Sequence, residues 1–230
     1  MSERLALVTG AAGAIGSGIV RRLADDGLAV AGADVAVGAD YRCDVRFEDE
    51  VLRLRGEVAA RHGTPSVLVN VAGAFFEHRI TELSEADWDL LIDTNLKGTF
   101  LMCKAFMPAM IAAGSGCVIN IASTAGIRGG QNRAAYCAAK AGVVNLSRSL
   151  ALDHGGDGVR VCCVCPGLID TPMADWITSR PDALHEFEES IPARRIGTVR
   201  DIAGMVSFLA SDAADYMHGA VVVVDGGVTA

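Results

Sequence analysis

Tyr136 and Lys140 stand four residues apart in Tyr-Cys-Ala-Ala-Lys, and Ser123 precedes the tyrosine by thirteen. Residues at that separation share one face of a helix, so the ammonium can lie beside the phenol. A neighbouring positive charge favours phenolate, and the expectation is that Lys140 draws Tyr136 below its ordinary pKa of ~10. A phenol tuned in this way gives a proton to a carbonyl oxygen or takes one from a hydroxyl. By itself the pair is also what an exposed helix face offers by chance. Its weight comes from the elements that must hold it in place.

Short apolar runs rich in β-branched residues recur along the chain at Leu5–Val8, Ala29–Ala33, Val67–Val71, Cys117–Ile121, Val159–Val164 and Val221–Val224. Helical patterns lie between them, near 14–26, 47–61, 85–112, 134–153 and 199–210. Apolar strands alternating with helices predict an α/β protein, a doubly wound parallel sheet of about seven strands with helices on both faces. No linker-like stretch or repeat interrupts the pattern, so one domain over 1–230 is expected. Residues 166–198 break the rhythm with Pro166, Pro172, Pro181 and Pro192, Trp176 and a short helical piece near 182–189. They follow the sixth run, at the carboxyl edge of such a sheet where ligands bind, and read as a substrate lid.

A glycine-rich turn, Thr9-Gly10-Ala11-Ala12-Gly13-Ala14-Ile15-Gly16, joins the first strand to the first helix. Gly10 and Gly13 let the backbone turn tightly and approach a pyrophosphate, and Gly16 lets helix and strand pack closely. The helix start offers free N–H groups to phosphate oxygens. Asp34 ends the second strand, eighteen residues beyond Gly16, where a carboxylate accepts hydrogen bonds from ribose hydroxyls and repels a 2′-phosphate. Residues 9–20 contain no Arg or Lys to attract one. The charge pattern therefore favours NAD over NADP.

Composition narrows the remaining possibilities. A net charge of −8 without basic clusters argues against nucleic acid and anionic membranes as partners. The most apolar stretch, Gly98 to Gly114, carries Lys104 and Pro108 and reads as a buried helix, not a membrane span. The N-terminus lacks a basic segment followed by a long apolar one, which leads to the expectation of a cytoplasmic protein. Seven cysteines, an odd number, fit reduced thiols. Cys162, Cys163 and Cys165 lie in a strand that sends neighbours to opposite faces, and the five histidines are scattered, so no metal site is expected.

Together these features make the sequence resemble the short-chain dehydrogenase/reductase family in its compact form. The likeness covers the whole chain and rests on the glycine turn, Asp44-Val45, Asn70-Val-Ala-Gly73, Asn95-Leu-Lys-Gly, Ser123, Tyr136-x-x-x-Lys140, Pro166-Gly167-x-x-x-Thr171-Pro172 and Asp225-Gly-Gly. The resemblance implies a Rossmann-like fold and a catalytic set of Asn95, Ser123, Tyr136 and Lys140. Ser123 would bond the substrate oxygen, and Tyr136 would be the general acid in reduction and base in oxidation. Lys140 would bond the nicotinamide ribose, and Asn95 would position a water linking Lys140 to solvent. Gly10, Gly13, Ala14, Ile15, Gly16, Asp34, Asp44, Val45, Asn70, Ala72, Gly73, Pro166, Gly167, Ile169 and Thr171 would line the cofactor, with Asp44 and Val45 ending the third strand at the adenine. The same resemblance implies a homo-oligomer, a tetramer or dimer, built through 85–112, 134–153 and the last strand.

The family's usual middle glycine is Ala14 here, and the second asparagine of its Asn-Asn-Ala-Gly is Val71. Only nine residues separate Asp34 from Asp44, too few for a helical crossover, so the helix expected there is missing or reduced to a turn. The predicted substrate wall is Ala74, Phe75, Thr124, Ala125, Ile127, Gln131, Asn132, Leu168, Met173 and Trp176. Such a mostly apolar wall with two amides suits a small secondary alcohol or ketone. Arg128 and Arg133 could greet a carboxylate at the mouth, although solvated loop charges explain them as well. The leading expectation is hydride transfer between NAD(H) and such a substrate. A 3-oxoacyl-[acyl-carrier-protein] reductase using NADPH and a non-catalytic nucleotide-binding scaffold are the alternatives.

Overall fold

Alternate residues of a strand point to opposite sides, so a strand that is apolar throughout must be covered twice. The computed structural model, which describes residues 4–230, meets that demand with a seven-stranded parallel sheet. Its strands are β1 (Leu5–Thr9), β2 (Ala29–Asp34), β3 (Tyr41–Arg42), β4 (Val67–Asn70), β5 (Gly116–Ile121), β6 (Val159–Pro166) and β7 (Val221–Val224). The helices are α1 (Ala14–Asp25), α2 (Glu48–His62), α3 (Glu85–Ile92), α4 (Gly98–Ala113), α5 (Ala134–His154), α6 (Asp175–Thr178), α7 (Pro181–Ser190) and α8 (Val199–Ala210). The strand order is β3-β2-β1-β4-β5-β6-β7. The winding reverses between β1 and β4, and the crevice that opens at their carboxyl ends is where such sheets hold ligands.

Side-chain alternation sorts the core into two layers. Ala6, Val8, Val67, Val69 and Ile119 face α1 and α8, meeting Ile19, Leu23, Ile202, Val206 and Leu209. Leu5, Leu7, Leu68, Val118 and Val161 face the other way, onto Val51, Leu54 and Val58 of α2 and Met102, Phe106 and Met110 of α4. Each fully buried Leu or Val side chain contributes ~1.5–3 kcal/mol. In β6 the same alternation sends Cys162 to the first layer and Cys163 and Cys165 to a patch beneath α5 with Val143 and Val144. All seven cysteines are free thiols.

Three local features differ from, or sharpen, the sequence expectations. The helix read over 85–112 is not continuous: a π-helical turn, Asp93–Lys97, separates α3 from α4 and holds Asn95 at its centre. The rod Glu85–Ala113 is long and apolar enough to cross a membrane by length and composition alone. Here Leu101, Met102, Phe106 and Met110 are buried in the core layer, and Lys104 pairs with Glu48 at 2.7 Å. Between β2 and β3, residues 35–40 form turns with no helix, as the nine-residue spacing demanded. Gly38 takes φ 103° in this crossover, and Asp40 ties it down by accepting from the Gly32 N–H at 2.8 Å. β3 stops at Arg42, so Asp44 and Val45 lie just past the strand end, not within it.

Candidate active site

The carboxyl ends of β1, β2, β4, β5 and β6 surround one cleft of about 830 Å³. At one end, the turn after β1 enters α1 through Gly10, which holds φ 65°. A Cβ there would stand 2.8 Å from the Ala72 nitrogen, and one on Gly16 would stand 2.0 Å from the Gly10 carbonyl oxygen. Side chains are thus barred at both points by backbone. The N-cap of α1, Gly13, supplies no side-chain cap, so first-turn N–H groups are left for whatever occupies the cleft. Gly13, Ala14, Ile15 and Gly16 all line it. The methyl of Ala14, absent from the family's usual pattern, is accommodated at the first position of α1.

Asp34 closes this end, accepting from Ala12 N–H and Ala36 N–H, each at 3.0 Å. Asp44, Val45 and Arg46 stand beside it on the wall. Arg46 grips Asp44 with Nε at 3.0 Å from both carboxylate oxygens and Nη2 at 2.6 Å from Oδ2. That hydrogen-bonded guanidinium holds the Asp44 carboxyl below the usual carboxylate range. Sequence reasoning passed over Arg46; its opposite charge two residues from Asp44 was the available signal.

Thr9 and the loop after β4 build the floor. The buried Thr9 hydroxyl accepts from Val71 N–H at 3.0 Å and Ala72 N–H at 3.2 Å, which fixes Ala72 and Gly73 on the wall. Asn70 does not join them. It was expected to line the adenosine side, but it ends β4 buried in the sheet, donating from Nδ2 to Asn120 Oδ1 at 2.8 Å. Asn120 in turn donates to Ser147 at 2.9 Å. Strand alternation points Asn70 into the α4 layer, where Nδ2 is bonded and Oδ1 is buried without a partner; the substitution Val71 does reach the cleft.

At the far end, Asn95, Ser123, Tyr136 and Lys140 converge on the same cleft. The π turn brings Asn95 over Gly73: a Cβ on Gly73 would lie 2.8 Å from Asn95 Oδ1 and 3.5 Å from Lys140 Nζ. Asn95 donates to Ala74 O and Leu91 O, both at 2.9 Å, while its Oδ1 is buried without a partner. Lys140 is buried, and its ammonium donates to Ile121 O at 3.0 Å. Burial drops its pKa from 10.5 to about 8.

The expected depression of Tyr136 is not found. Its pKa is pushed up to about 12, chiefly by burial, with the Ser123 hydroxyl and the Arg133 charge opposing. Lys140 stands 5.7 Å from the ring centroid and spends its hydrogen bond on Ile121 O, so desolvation of the phenolate outweighs it. Phe75 packs edge-on to the Tyr136 ring at 4.9 Å and fixes its plane.

Pro166, Gly167, Ile169 and Thr171 line the cleft as expected, and Thr171 donates to Ile169 O at 3.2 Å. The wall near Tyr136 departs from the predicted one. Ala74, Phe75, Thr124, Ala125, Leu168, Met173 and Trp176 are present, but Ile127, Gln131 and Asn132 are not. Asn132 takes φ 59° and bonds outward, its carbonyl accepting from His78 N–H at 2.8 Å. Arg128, Arg133, Phe187 and Val228 line the cleft as well. The two expected amides are absent from the wall, while the two arginines that the sequence offered at the mouth are present.

The sheet order and this cleft define a dinucleotide-type α/β protein with a serine, tyrosine and lysine at its crevice. A family model described as Enoyl-(Acyl carrier protein) reductase matches residues 10–229. The chain belongs to the short-chain dehydrogenase/reductase family, oxidoreductases that act on CH–OH groups with a nicotinamide dinucleotide. It is 40% identical to cis-4-hydroxycyclohexanecarboxylate dehydrogenase of Sinomonas cyclohexanicum, over 100% of this chain and 98% of that one. It is 34% identical to a 3-oxoacyl-[acyl-carrier-protein] reductase of Chlamydia muridarum, over 98% and 97%. The solved structure of Thermoplasma acidophilum aldohexose dehydrogenase in ligand-free form matches with a TM-score of 0.93 at 32% identity, covering 99% of this chain and 94% of that one.

Proposed function

We propose that this protein transfers hydride between NAD(H) and a small secondary alcohol or ketone, with Tyr136 as the general acid and base. The observation that carries the reading is the convergence of Asn95, Ser123, Tyr136 and Lys140 on the cleft that also holds the glycine turn. A dinucleotide suits the cleft for two reasons. The glycines at 10, 16 and 73, where a Cβ would strike neighbouring protein atoms, let the turn and the wall close tightly enough for backbone to approach a pyrophosphate, and Asn95 Oδ1 is a buried acceptor without a partner. Gly13 to Gly16 would face the pyrophosphate, Asp34 the adenosine ribose, and Ile169 and Thr171 the carboxamide. When bound, the dinucleotide supplies or accepts hydride at its nicotinamide C4.

The chain's own residues hold the substrate oxygen and move its proton. The Ser123 hydroxyl donates to that oxygen and sets it against the phenol. In reduction Tyr136 gives its proton to the oxygen as the carbonyl carbon gains hydride; in oxidation the phenolate takes the alcohol's proton. With its pKa near 12 the phenol is protonated at neutral pH, which suits proton donation. Accepting a proton requires added positive charge nearby, and an oxidised nicotinamide carries one. Lys140 holds a buried ammonium beside Asn95 Oδ1, where one water would complete a path for the proton. The direct test is Tyr136→Phe, for which turnover should vanish while NADH binding persists; undiminished turnover would refute the assignment and favour the scaffold alternative.

The NADPH-dependent acyl-carrier-protein reductase reading is favoured by the Chlamydia relative. Against it stand Asp34, the absence of a basic residue in the glycine turn, and the neutralisation of Arg46 by Asp44. Turnover with NADH against NADPH separates the two. A reducing compartment such as the cytoplasm suits the seven free thiols. A dimer or tetramer through α4, α5 and β7 is the proposed assembly, and light scattering measures it.

A further inference from the structure

The ionised side chains on the cleft wall fall into two groups. Asp34, Asp44 and Arg46 line the glycine-turn end, whereas Arg128, Arg133 and Lys140 line the end that holds Ser123 and Tyr136. No carboxylate lines this second end among the described residues. Arg133 has part of its fork occupied: Glu77 Oε1 accepts from Nε at 2.6 Å and lies 2.5 Å from Nη2. The guanidinium carbon also stands 5.3 Å from the Phe75 ring and 5.4 Å from the Trp176 ring, which holds it rigidly under the 166–198 segment. Nη1 has no protein partner among the described residues.

Arg128 is wholly unspent. Its side chain makes no hydrogen bond or ion pair among the described residues, although its backbone is fixed by donation to Thr124 O at 3.1 Å. Asp225 is the carboxylate its charge reaches. The oxygens of Asp225 are already taken by Gly227 N–H, Thr229 N–H and the Thr229 hydroxyl, at 2.7–2.9 Å. An unpaired surface arginine is ordinarily a solvated charge. This one is exposed, yet it belongs to the cleft lining with Phe75, Leu168, Met173 and Trp176, five residues from Ser123, and no carboxylate is hydrogen-bonded to it among the described residues.

We infer that the substrate is a secondary hydroxy acid, or the matching oxo acid, whose carboxylate is bound by Arg128. The inference rests on the dehydrogenase reading above and adds the chemical class of its substrate. A guanidinium fork matches a carboxylate in bidentate geometry. The apolar and aromatic wall between Arg128 and the phenol fits a carbon body separating carboxylate from carbinol. The fork also matches a phosphate, and the phosphate arm of the test separates the two.

The test compares kcat/KM for three secondary alcohols of one carbon skeleton bearing a carboxylate, a carboxamide or a phosphate monoester, with NAD present. Charge-assisted hydrogen bonds of this kind predict that the acid exceeds the amide by roughly ten- to a hundredfold. In Arg128→Gln that ratio should fall towards one, and Arg128→Lys should restore part of it. A ratio taken within one protein is independent of how much of it is folded. Calorimetric titration of cyclohexanecarboxylate into the NADH complex should show binding that Arg128→Gln weakens by a similar factor. Equal rates for acid and amide, a ratio unmoved by Arg128→Gln, or a preference for the phosphate would each overturn the inference, while turnover of neutral alcohols left the dehydrogenase reading standing. Failure to turn over any secondary alcohol or ketone would remove both.

Discussion

Replacing Lys140 by methionine isolates the cost of burying its charge. In the folded chain burial lowers the lysine pKa from 10.5 to about 8, so between those values the unfolded chain binds a proton that the folded chain has released. Stability therefore rises with pH across this window, and the penalty is fully present below the folded value. A shift of that size corresponds to ~3 kcal/mol at neutral pH; most of it, roughly 2–3 kcal/mol, is relieved between pH 7 and pH 10. Methionine keeps the packing and removes the titration. Losing the bond to Ile121 O adds a cost that does not vary with pH. Urea denaturation of both proteins without cofactor at pH 7 and pH 10 should show the wild-type chain gaining that increment relative to Lys140→Met. Comparing the two proteins removes the opposite trend from Tyr136 and from the buried thiols of Cys43 and Cys103, each raised to about 12. Parallel pH dependences would refute the placement of an ammonium in a dry pocket beneath Ser123 and Tyr136.

Tyr136→Phe should lower kcat by ~10²–10⁴-fold or more, the range for losing a general acid–base, with NADH affinity by fluorescence titration little altered. Asp34→Ser should narrow the preference for NADH over NADPH, read as the ratio of kcat/KM for the two cofactors, because it removes the charge that opposes a 2′-phosphate. Gly16→Ala drives a methyl to 2.0 Å from the Gly10 carbonyl oxygen; it should destabilise the fold by ~1–3 kcal/mol and weaken dinucleotide binding, measured by denaturation and titration. Gly56→Ala is its opposite: a Cβ there meets nothing within 4 Å on the exposed face of α2, and stability should rise by ~0.5–1 kcal/mol.

The sequence by itself determined the parallel sheet, because apolar strands in alternation with helices have no other way to bury both faces. It also determined the glycine turn, the missing crossover helix at 35–40, and the placing of Tyr136 and Lys140 one turn apart on a helix, since each follows from local spacing or from the need for a residue without a side chain. Tertiary structure decided what spacing cannot encode. Asn70 reads as a cleft residue along the chain, yet strand alternation turns it onto Asn120 in the core. Lys140 is at the right separation to tune Tyr136, but the depth of the pocket reverses the direction of the tyrosine's shift. Gln131 and Asn132, expected on the substrate wall, do not line the cleft, whereas Arg128 and Arg133, which the sequence left open between the mouth and solvent, do. Periodicity fixes which residues share an element; burial, loop curvature and the pairing of charges across elements exist only once the chain has closed on itself.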